Sequence, residues 1–114
     1  MKRLYHKGLT AERWQSFSFY EQMANIGSEV FRAMSWRQKN REYCRLALER
    51  ALELLDLTLE TSVRSRSRLK ELARLRETLV DYFSFDNDYC SNDKNWQNYF
   101  NAFNYAARNP AAKK

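Results

Sequence analysis

Apolar side chains recur at steps of three and four residues along four separate segments of this chain, and this spacing constrains the fold more than any other feature. It places the apolar residues of each segment on one stripe of an α-helix. The stripes predict helices over 18–36, 40–60, 66–84 and 93–109. Only 2 glycines and 1 proline interrupt the 114 residues. Because each helix must bury one stripe and the connections are short, the sequence predicts an all-α fold, an antiparallel four-helix bundle.

The predicted core consists of the residues on these stripes. They are Met23, Ile26, Val30 and Met34 in the first segment, Ala47, Leu48, Ala51, Leu52, Leu54, Leu55 and Leu59 in the second, Leu69, Leu72, Ala73, Leu79, Val80 and Phe83 in the third, and Trp96, Tyr99, Phe100, Phe103 and Ala107 in the fourth. Gly27 lies at the edge of the first stripe. A glycine inside a helix costs about 1 kcal/mol relative to alanine, so we expect another helix to approach closely there.

Capping residues mark the ends of the predicted helices. Ser18 and Glu21 have the spacing of a capping box, in which each side chain accepts a backbone N–H of the other residue. Asp93 is the expected N-cap of the last helix. Asn109 and Pro110 are expected to end it.

Charge is distributed unevenly along the chain, whose net charge is +6. Residues 18–93 carry 12 basic and 13 acidic side chains, so the predicted bundle is nearly neutral. The excess belongs to the two ends. The sequence therefore predicts a basic, partly mobile N-terminal segment over 1–17, the bundle over 18–109 and a basic tail over 110–114.

Basic residues near the predicted helix turns and the C-terminus are candidates for phosphate contacts in a nucleic acid. These candidates are Arg37, Lys39, Arg64, Arg66, Arg68, Arg108, Lys113 and Lys114. Pairing across helices is the alternative for the basic blocks. In that interpretation Glu49, Glu53, Asp56 and Glu60 run beside the basic block 64–76, with Arg74 and Arg76 opposite Glu49 and Glu53, and Arg41 and Arg45 face Glu77 and Asp81.

The last helix has an unusual outer face. Opposite its apolar stripe lie Gln97, Asn101, Asn104 and Tyr105, which are uncharged, whereas solvated helix faces usually mix Glu and Lys. Such a face suits contact with another subunit or a partner protein, so the sequence predicts a homo-oligomer. Contact with a nucleic acid through these amides is the other interpretation.

No group of residues predicts catalysis, a metal site or a cofactor. The only histidine is His6, and the two cysteines, Cys44 and Cys90, have no further ligands at zinc spacing. A calcium loop around Asp86 and Asp88 would lack its turn glycine and its glutamate. We therefore expect a protein that is not an enzyme, with both thiols reduced. No apolar run reaches the ~20 residues of a membrane span and no signal peptide is evident, so we expect no membrane contact and a cytoplasmic location.

The runs EQMANIGSEVFRAMSW, RALELLDLTLE, RLKELARLRETLVDYF and NWQNYFNAFNYAARN resemble a recurrent family of small bacterial helical proteins. Their order and spacing more distantly resemble the four-helix bundle family of ribosomal-RNA intervening-sequence proteins. The accessory variability protein of diversity-generating retroelements belongs to that family as well. This resemblance implies a basic pentameric barrel that binds RNA and a reverse transcriptase. The chain differs from that family in having a nearly neutral bundle.

Two functions follow as hypotheses. The first is a non-enzymatic, oligomeric accessory protein that binds nucleic acid, RNA or DNA with RNA favoured, through its basic ends and turns. The second is a helical adaptor that binds only proteins. Phosphate contacts release counterions, so salt dependence separates the two hypotheses.

Overall fold

Five helices account for most of the chain in a computed structural model that describes residues 6, 8–84, 87 and 89–109. They are α1 (Ala11–Gln15), α2 (Phe19–Trp36), α3 (Arg41–Thr61), α4 (Arg66–Ser84) and α5 (Asp93–Arg108). No strand occurs within the described residues. The protein is therefore all-α, and the four long helices confirm the predicted segments to within one residue at each end.

Local chemistry explains where the long helices begin. The capping box of Ser18 and Glu21 is present at the start of α2, and the Asn40 side chain caps α3. The predicted cap of α5 was wrong by one residue. Asn92, not Asp93, is the N-cap, because Asn92 and Asn95 accept each other's backbone N–H groups in a second capping box.

The core lies where α2 packs against α3 and α5 and where α3 packs against α4. One cluster of buried hydrophobic residues forms its centre: Trp14, Met23, Ile26, Val30, Ala51, Leu54, Leu55, Leu57, Leu72, Leu75, Leu79, Tyr82, Trp96 and Phe100. Ala33, Ala47 and Leu48 are buried as well. The sequence stripes missed Leu57, Leu75 and Tyr82, and the predicted core residue Ala73 is exposed. In α4 the buried residues follow steps of 3, 4 and 3 from Leu72, so its core face is rotated away from Ala73.

Gly27 allows α5 to approach α2 closely, as predicted. A Cβ atom at this position would lie 2.8 Å from the side chain of Phe100, which is closer than van der Waals contact allows. The absence of a side chain at Gly27 therefore lets the buried ring of Phe100 pack directly on the α2 backbone.

A short helix that the sequence did not predict packs the N-terminal segment onto α3. Trp14 is 3% exposed, and its indole N–H donates to Thr58 Oγ1 at 2.9 Å. The Gln22 amide donates to the Trp14 carbonyl at 2.9 Å. Preceding α1, the backbone N–H of His6 donates to Glu53 Oε1 at 2.8 Å. Part of the segment predicted to be mobile thus belongs to the packed body; residues 1–5 and 7, and the predicted tail 110–114, lie outside the described residues.

Within the described ranges, no helix combines the length and the apolar character needed to cross a membrane.

Candidate nucleic-acid interface

Contacts between helices divide the predicted phosphate-binding residues between two ends of the molecule. The guanidinium carbon of Arg68 lies 4.2 Å from the centroid of the Phe19 ring, and Arg108 borders a cavity with Phe17. The α3–α4 turn, the start of α2 and the end of α5 therefore share one end, the α3/α4 end, which carries Arg64, Arg66, Arg68 and Arg108.

Arg37 and Lys39 lie at the opposite end, the α2/α3 end. The α2 helix has 18 residues, so about 27 Å of helix separates the two ends. The structure does not bring the predicted residues into one site. Lys113 and Lys114 lie outside the described residues.

Three basic residues extend from the α3/α4 end along the solvent side of α4. Arg66, Lys70 and Arg74 follow one another at steps of four residues, opposite the buried Leu72 and Leu79. All three side chains are exposed and form no ion pair with another residue in the described part of the chain. We call this stripe the α4 outer face.

The basic block pairs with α3 at one of the predicted acids, Asp56, whose Oδ1 accepts from Arg76 Nε at 2.8 Å. The assignment of Arg74 and Arg76 to Glu49 and Glu53 was wrong. Glu53 instead contacts His6, whose Nδ1 lies 2.8 Å from Glu53 Oε1.

The acids near the start of α3 are engaged within their own helix. Arg45 pairs with Glu42 and Glu49 and therefore does not face the predicted acids of α4. Of those acids, Asp81 accepts the backbone N–H of Tyr89 at 3.1 Å and Glu77 accepts the Tyr89 hydroxyl at 3.3 Å. Arg45 thus pairs with acids within one helical turn of itself and not with the predicted acids of α4.

The electrostatics of α4 are unfavourable for the helix itself. Like charges four residues apart destabilise a helix by roughly 0.2–0.5 kcal/mol per pair. The first turn of α4 contains no acidic residue and begins with Arg66, so a cation lies at the positive end of the helix dipole. Two acids border the stripe, Glu71 beside Lys70 and Glu77 at the C-terminal end, and they accept the hydroxyls of Tyr99 and Tyr89. This arrangement provides an anion with several converging positive charges.

Two predicted phosphate ligands already have structural contacts. Arg37 Nη2 donates to the Tyr82 carbonyl at 2.7 Å, at the C-terminal end of α4, and its guanidinium lies 4.3 Å from the centroid of the Tyr82 ring. Arg68 lies over Phe19 as described. Arg64, in contrast, is exposed and forms no ion pair with any other described residue.

The predicted interface residues of α5 share one outward face. Gln97, Asn101 and Tyr105 are exposed, and Tyr105 is 65% exposed. Asn104 is half-buried and donates through Nδ2 to Asn101 Oδ1 at 3.2 Å. Asn101, Asn104 and Tyr105, with Arg108 and Asn109, border a shallow cavity of about 540 Å³.

Two tyrosine hydroxyls connect α4 to α5, and the sequence analysis predicted neither contact. Tyr82 donates to Asp93 Oδ1 at 2.5 Å, and Tyr99 donates to Glu71 Oε2 at 2.9 Å. Burial, followed by the hydrogen bond to Asp93, raises the pKa of Tyr82 to about 12. Burial and the bond to Glu71 likewise raise the pKa of Tyr99.

In the described ranges, the cysteine thiols and the carboxylates form neither a disulfide nor a group of metal ligands. Cys44 and Cys90 are not bridged. Burial raises the pKa of Cys44, and the charge of Arg37 opposes that shift. Among the described residues, no three His, Cys, Asp or Glu side chains group as metal ligands would. The two residues considered for a calcium loop, Asp86 and Asp88, lie outside the described residues.

Sequence reasoning missed Lys70 and Arg74 as candidate ligands because it assigned this block to ion pairs. Their spacing from Arg66, on the side opposite Leu72 and Leu79, was the available signal. No protein-family model, curated protein or solved structure matches this chain. The chemistry of the surface is therefore the basis for inferring a function.

Proposed function

We propose that this protein is a non-enzymatic accessory protein that binds nucleic acid through phosphate contacts on the α4 outer face. The observation that carries the proposal is the stripe of Arg66, Lys70 and Arg74, which is exposed and makes no ion pair with other described residues. Arg64 and Arg108 extend it at the α3/α4 end. RNA is the nucleic acid, and a reverse transcriptase the protein partner, that the resemblance implies.

The α4 outer face supports phosphate binding better than a role in stability. Exposed ion pairs contribute at most about 1 kcal/mol, and this stripe lacks even that contribution from its described neighbours. Cations on one face of a helix attract a polyanion and gain affinity from released counterions. The spacing thus fits a backbone contact that does not depend on base sequence.

In this proposal the four long helices form an antiparallel bundle that assembles into an oligomer in the cytoplasm. The antiparallel arrangement of α3 and α4 is supported by the pair between Asp56, near the end of α3, and Arg76, which follows the turn. The uncharged outer face of α5 supports assembly, since an interface centre is usually depleted in charge. Assembly would place several α4 outer faces on one particle and so increase avidity.

The test is binding of a fluorescein-labelled RNA, measured by anisotropy at low salt. The variant Arg66→Gln with Arg74→Gln removes two charges from the α4 outer face. The control, Arg13→Gln with Lys94→Gln, removes two exposed charges from α1 and α5, neither of which forms an ion pair with another described residue. We expect the first variant to bind clearly more weakly than the wild type and the control to bind nearly as well. Equal loss in both variants, or no binding by the wild type, would refute the proposal.

A protein–protein adaptor is the second candidate, and the α5 outer face favours it. Tyr105 is 65% exposed, and Gln97 and Asn101 beside it carry no charge. Aromatic and uncharged side chains suit the centre of a protein interface. A wild-type protein that self-associates or captures a helical partner, but does not bind RNA or DNA at low salt, would assign this function instead.

A further inference from the structure

Two aromatic rings are exposed side by side at the α2/α3 end, far from the α4 outer face. Trp36 is 37% exposed and Tyr43 is 50% exposed. Their ring centroids lie 4.9 Å apart with the planes at 77°. The two other tryptophans are buried, Trp14 at 3% and Trp96 at 6% exposure. Trp36 is therefore the one tryptophan whose ring reaches solvent.

The turn between α2 and α3 holds both rings in place. The carbonyl of Trp36 accepts the backbone N–H groups of Lys39 at 2.9 Å and Asn40 at 2.8 Å. Asn40 Oδ1 in turn accepts the backbone N–H of Tyr43 at 3.1 Å. The pair is thus attached to the last residue of α2 and the first turn of α3, so it is ordered before any ligand arrives.

The charges around this aromatic pair are mainly positive. Lys39 is exposed and forms no ion pair with a residue in the described ranges. Arg41 lies two residues from Tyr43, on the other side of α3, where it borders a cavity with Arg37 and Phe83. Arg37 is held on the carbonyl of Tyr82. Glu42, the acid of this turn, is paired with Arg45. An anion with a flat apolar part would meet complementary groups here.

We propose that Trp36 and Tyr43 stack on the bases of single-stranded nucleic acid while Lys39, in the same turn, contacts its phosphates. This inference rests on the proposed nucleic-acid binding and names its substrate as the single-stranded form. A duplex stacks its bases on one another and offers only their edges, whereas a single strand exposes their faces to aromatic side chains. Basic residues alone bind the phosphates of either form, whereas exposed rings add affinity for the single strand only.

Tryptophan emission gives a direct test, because Trp14 and Trp96 are shielded in the core. Poly(U) serves as the single-stranded probe and the poly(A)·poly(U) duplex as the comparison. We expect poly(U) to quench Trp36 emission and the duplex to leave it unchanged. The quenching is lost in Trp36→Phe, which keeps an aromatic ring in the turn.

Variants of Tyr43 separate stacking from turn structure. One stacked base contributes roughly 1–3 kcal/mol, so Tyr43→Ala should weaken poly(U) binding by about 5- to 150-fold. Tyr43→Phe keeps the ring and should bind nearly as the wild type does. Duplex binding should be the same in both variants, and this shows that each variant is folded.

The remaining outcomes distinguish this inference from the proposed function. Equal binding of poly(U) and duplex, with unchanged Trp36 emission, refutes stacking while the α4 outer face keeps its role. Emission that changes with protein concentration but not with poly(U) makes the pair a protein contact and also refutes stacking. Absence of binding to either polymer refutes both proposals.

Discussion

The outer faces of α4 and α5 differ in charge although both helices pack into the same core. α4 buries Leu72, Leu75 and Leu79 and exposes Arg66, Lys70 and Arg74. α5 buries Trp96 and Phe100 and exposes Gln97, Asn101 and Tyr105. The buried stripes fix where each helix lies, whereas the outer faces are not constrained by packing. Their difference therefore points to two different surface roles.

The start of α3 shows what an outer face looks like when its charges serve the helix. Arg45 there lies between Glu42 and Glu49, three and four residues away, and pairs with both. Such pairs stabilise a helix by a few tenths of a kcal/mol each. In α4, Glu71 and Glu77 lie three residues before and after Arg74, but they accept the hydroxyls of Tyr99 and Tyr89 instead of pairing with it. The comparison with α3 indicates that the α4 outer face is not built for helix stability.

The largest expected effect comes from removing a large buried side chain by which α4 or α5 packs into the core. Phe100→Ala should lower the free energy of unfolding by about 3–5 kcal/mol, and Leu79→Ala by about 2–5 kcal/mol, because both leave cavities in the core. Urea denaturation followed by circular dichroism measures both. A change below roughly 0.5 kcal/mol at Phe100 would show that α5 is not anchored where it packs on Gly27.

The next effect concerns the two hydroxyls that connect α4 and α5. The pKa of Tyr82 is raised from 10.0 to about 12 by burial and by Asp93, so the folded state retains this proton more firmly than the unfolded chain does. The contribution of this proton to the free energy of unfolding is fully present below pH 10 and is lost as the pH rises toward 12. The pKa of Tyr99 is raised as well, by burial and Glu71.

Replacing both tyrosines tests that account. Tyr82→Phe with Tyr99→Phe should flatten the decline of stability above pH 10, measured by urea denaturation at each pH, relative to the wild type. Tyr105→Phe, an exposed tyrosine on α5, is the matched control and should keep the decline. An equally steep decline in the double variant would contradict these contacts.

A smaller difference should separate two arginines of the same helix. Arg76→Gln removes the ion pair with Asp56 and should cost up to about 1 kcal/mol, since the pair is partly exposed. Arg74→Gln should change stability by less than about 0.5 kcal/mol. Thermal unfolding of the two variants measures this, and equal losses would place Arg74 in an ion pair.

The outer face of α5 should matter least for stability. Gln97→Glu with Asn101→Glu adds like charges to an exposed surface, so unfolding should shift by less than about 0.5 kcal/mol. The same charges should separate an oligomer that uses this face, and sedimentation velocity would show the shift to monomer. A wild-type protein that is monomeric at all concentrations would refute the proposed oligomer.

Helix boundaries were predictable because their causes are local. Ser18, Asn40 and the apolar steps after them define α2 and α3 within a few residues of sequence. The burial of Trp14 was not predictable in this way, since its partner Thr58 is 44 residues distant. α1 spans only Ala11–Gln15 and has one buried residue, so it is too short to show a period that marks Trp14 as core.

Ion-pair partners and the candidate site were harder to predict for the same reason. Whether Arg76 meets Asp56 or Glu53 depends on how α4 is rotated about its axis, and Leu75 and Ala73 fit a core stripe almost equally well from the sequence. That rotation also decides that Arg66, Lys70 and Arg74 face solvent. The basic block was visible in the sequence, but the separation of Arg66, Lys70 and Arg74 from the acids of α3 required the structure.

The salt dependence of RNA binding tests the role of the α4 outer face most directly. It is measured as the slope of log K against log salt for the wild type and for Arg66→Gln with Lys70→Gln and Arg74→Gln. A contact with single-stranded RNA contributes about 0.7 to the slope, so three lost contacts should make the slope shallower by about 2. Equal slopes in the two proteins would contradict the account and leave the charge of α4 without a role in binding.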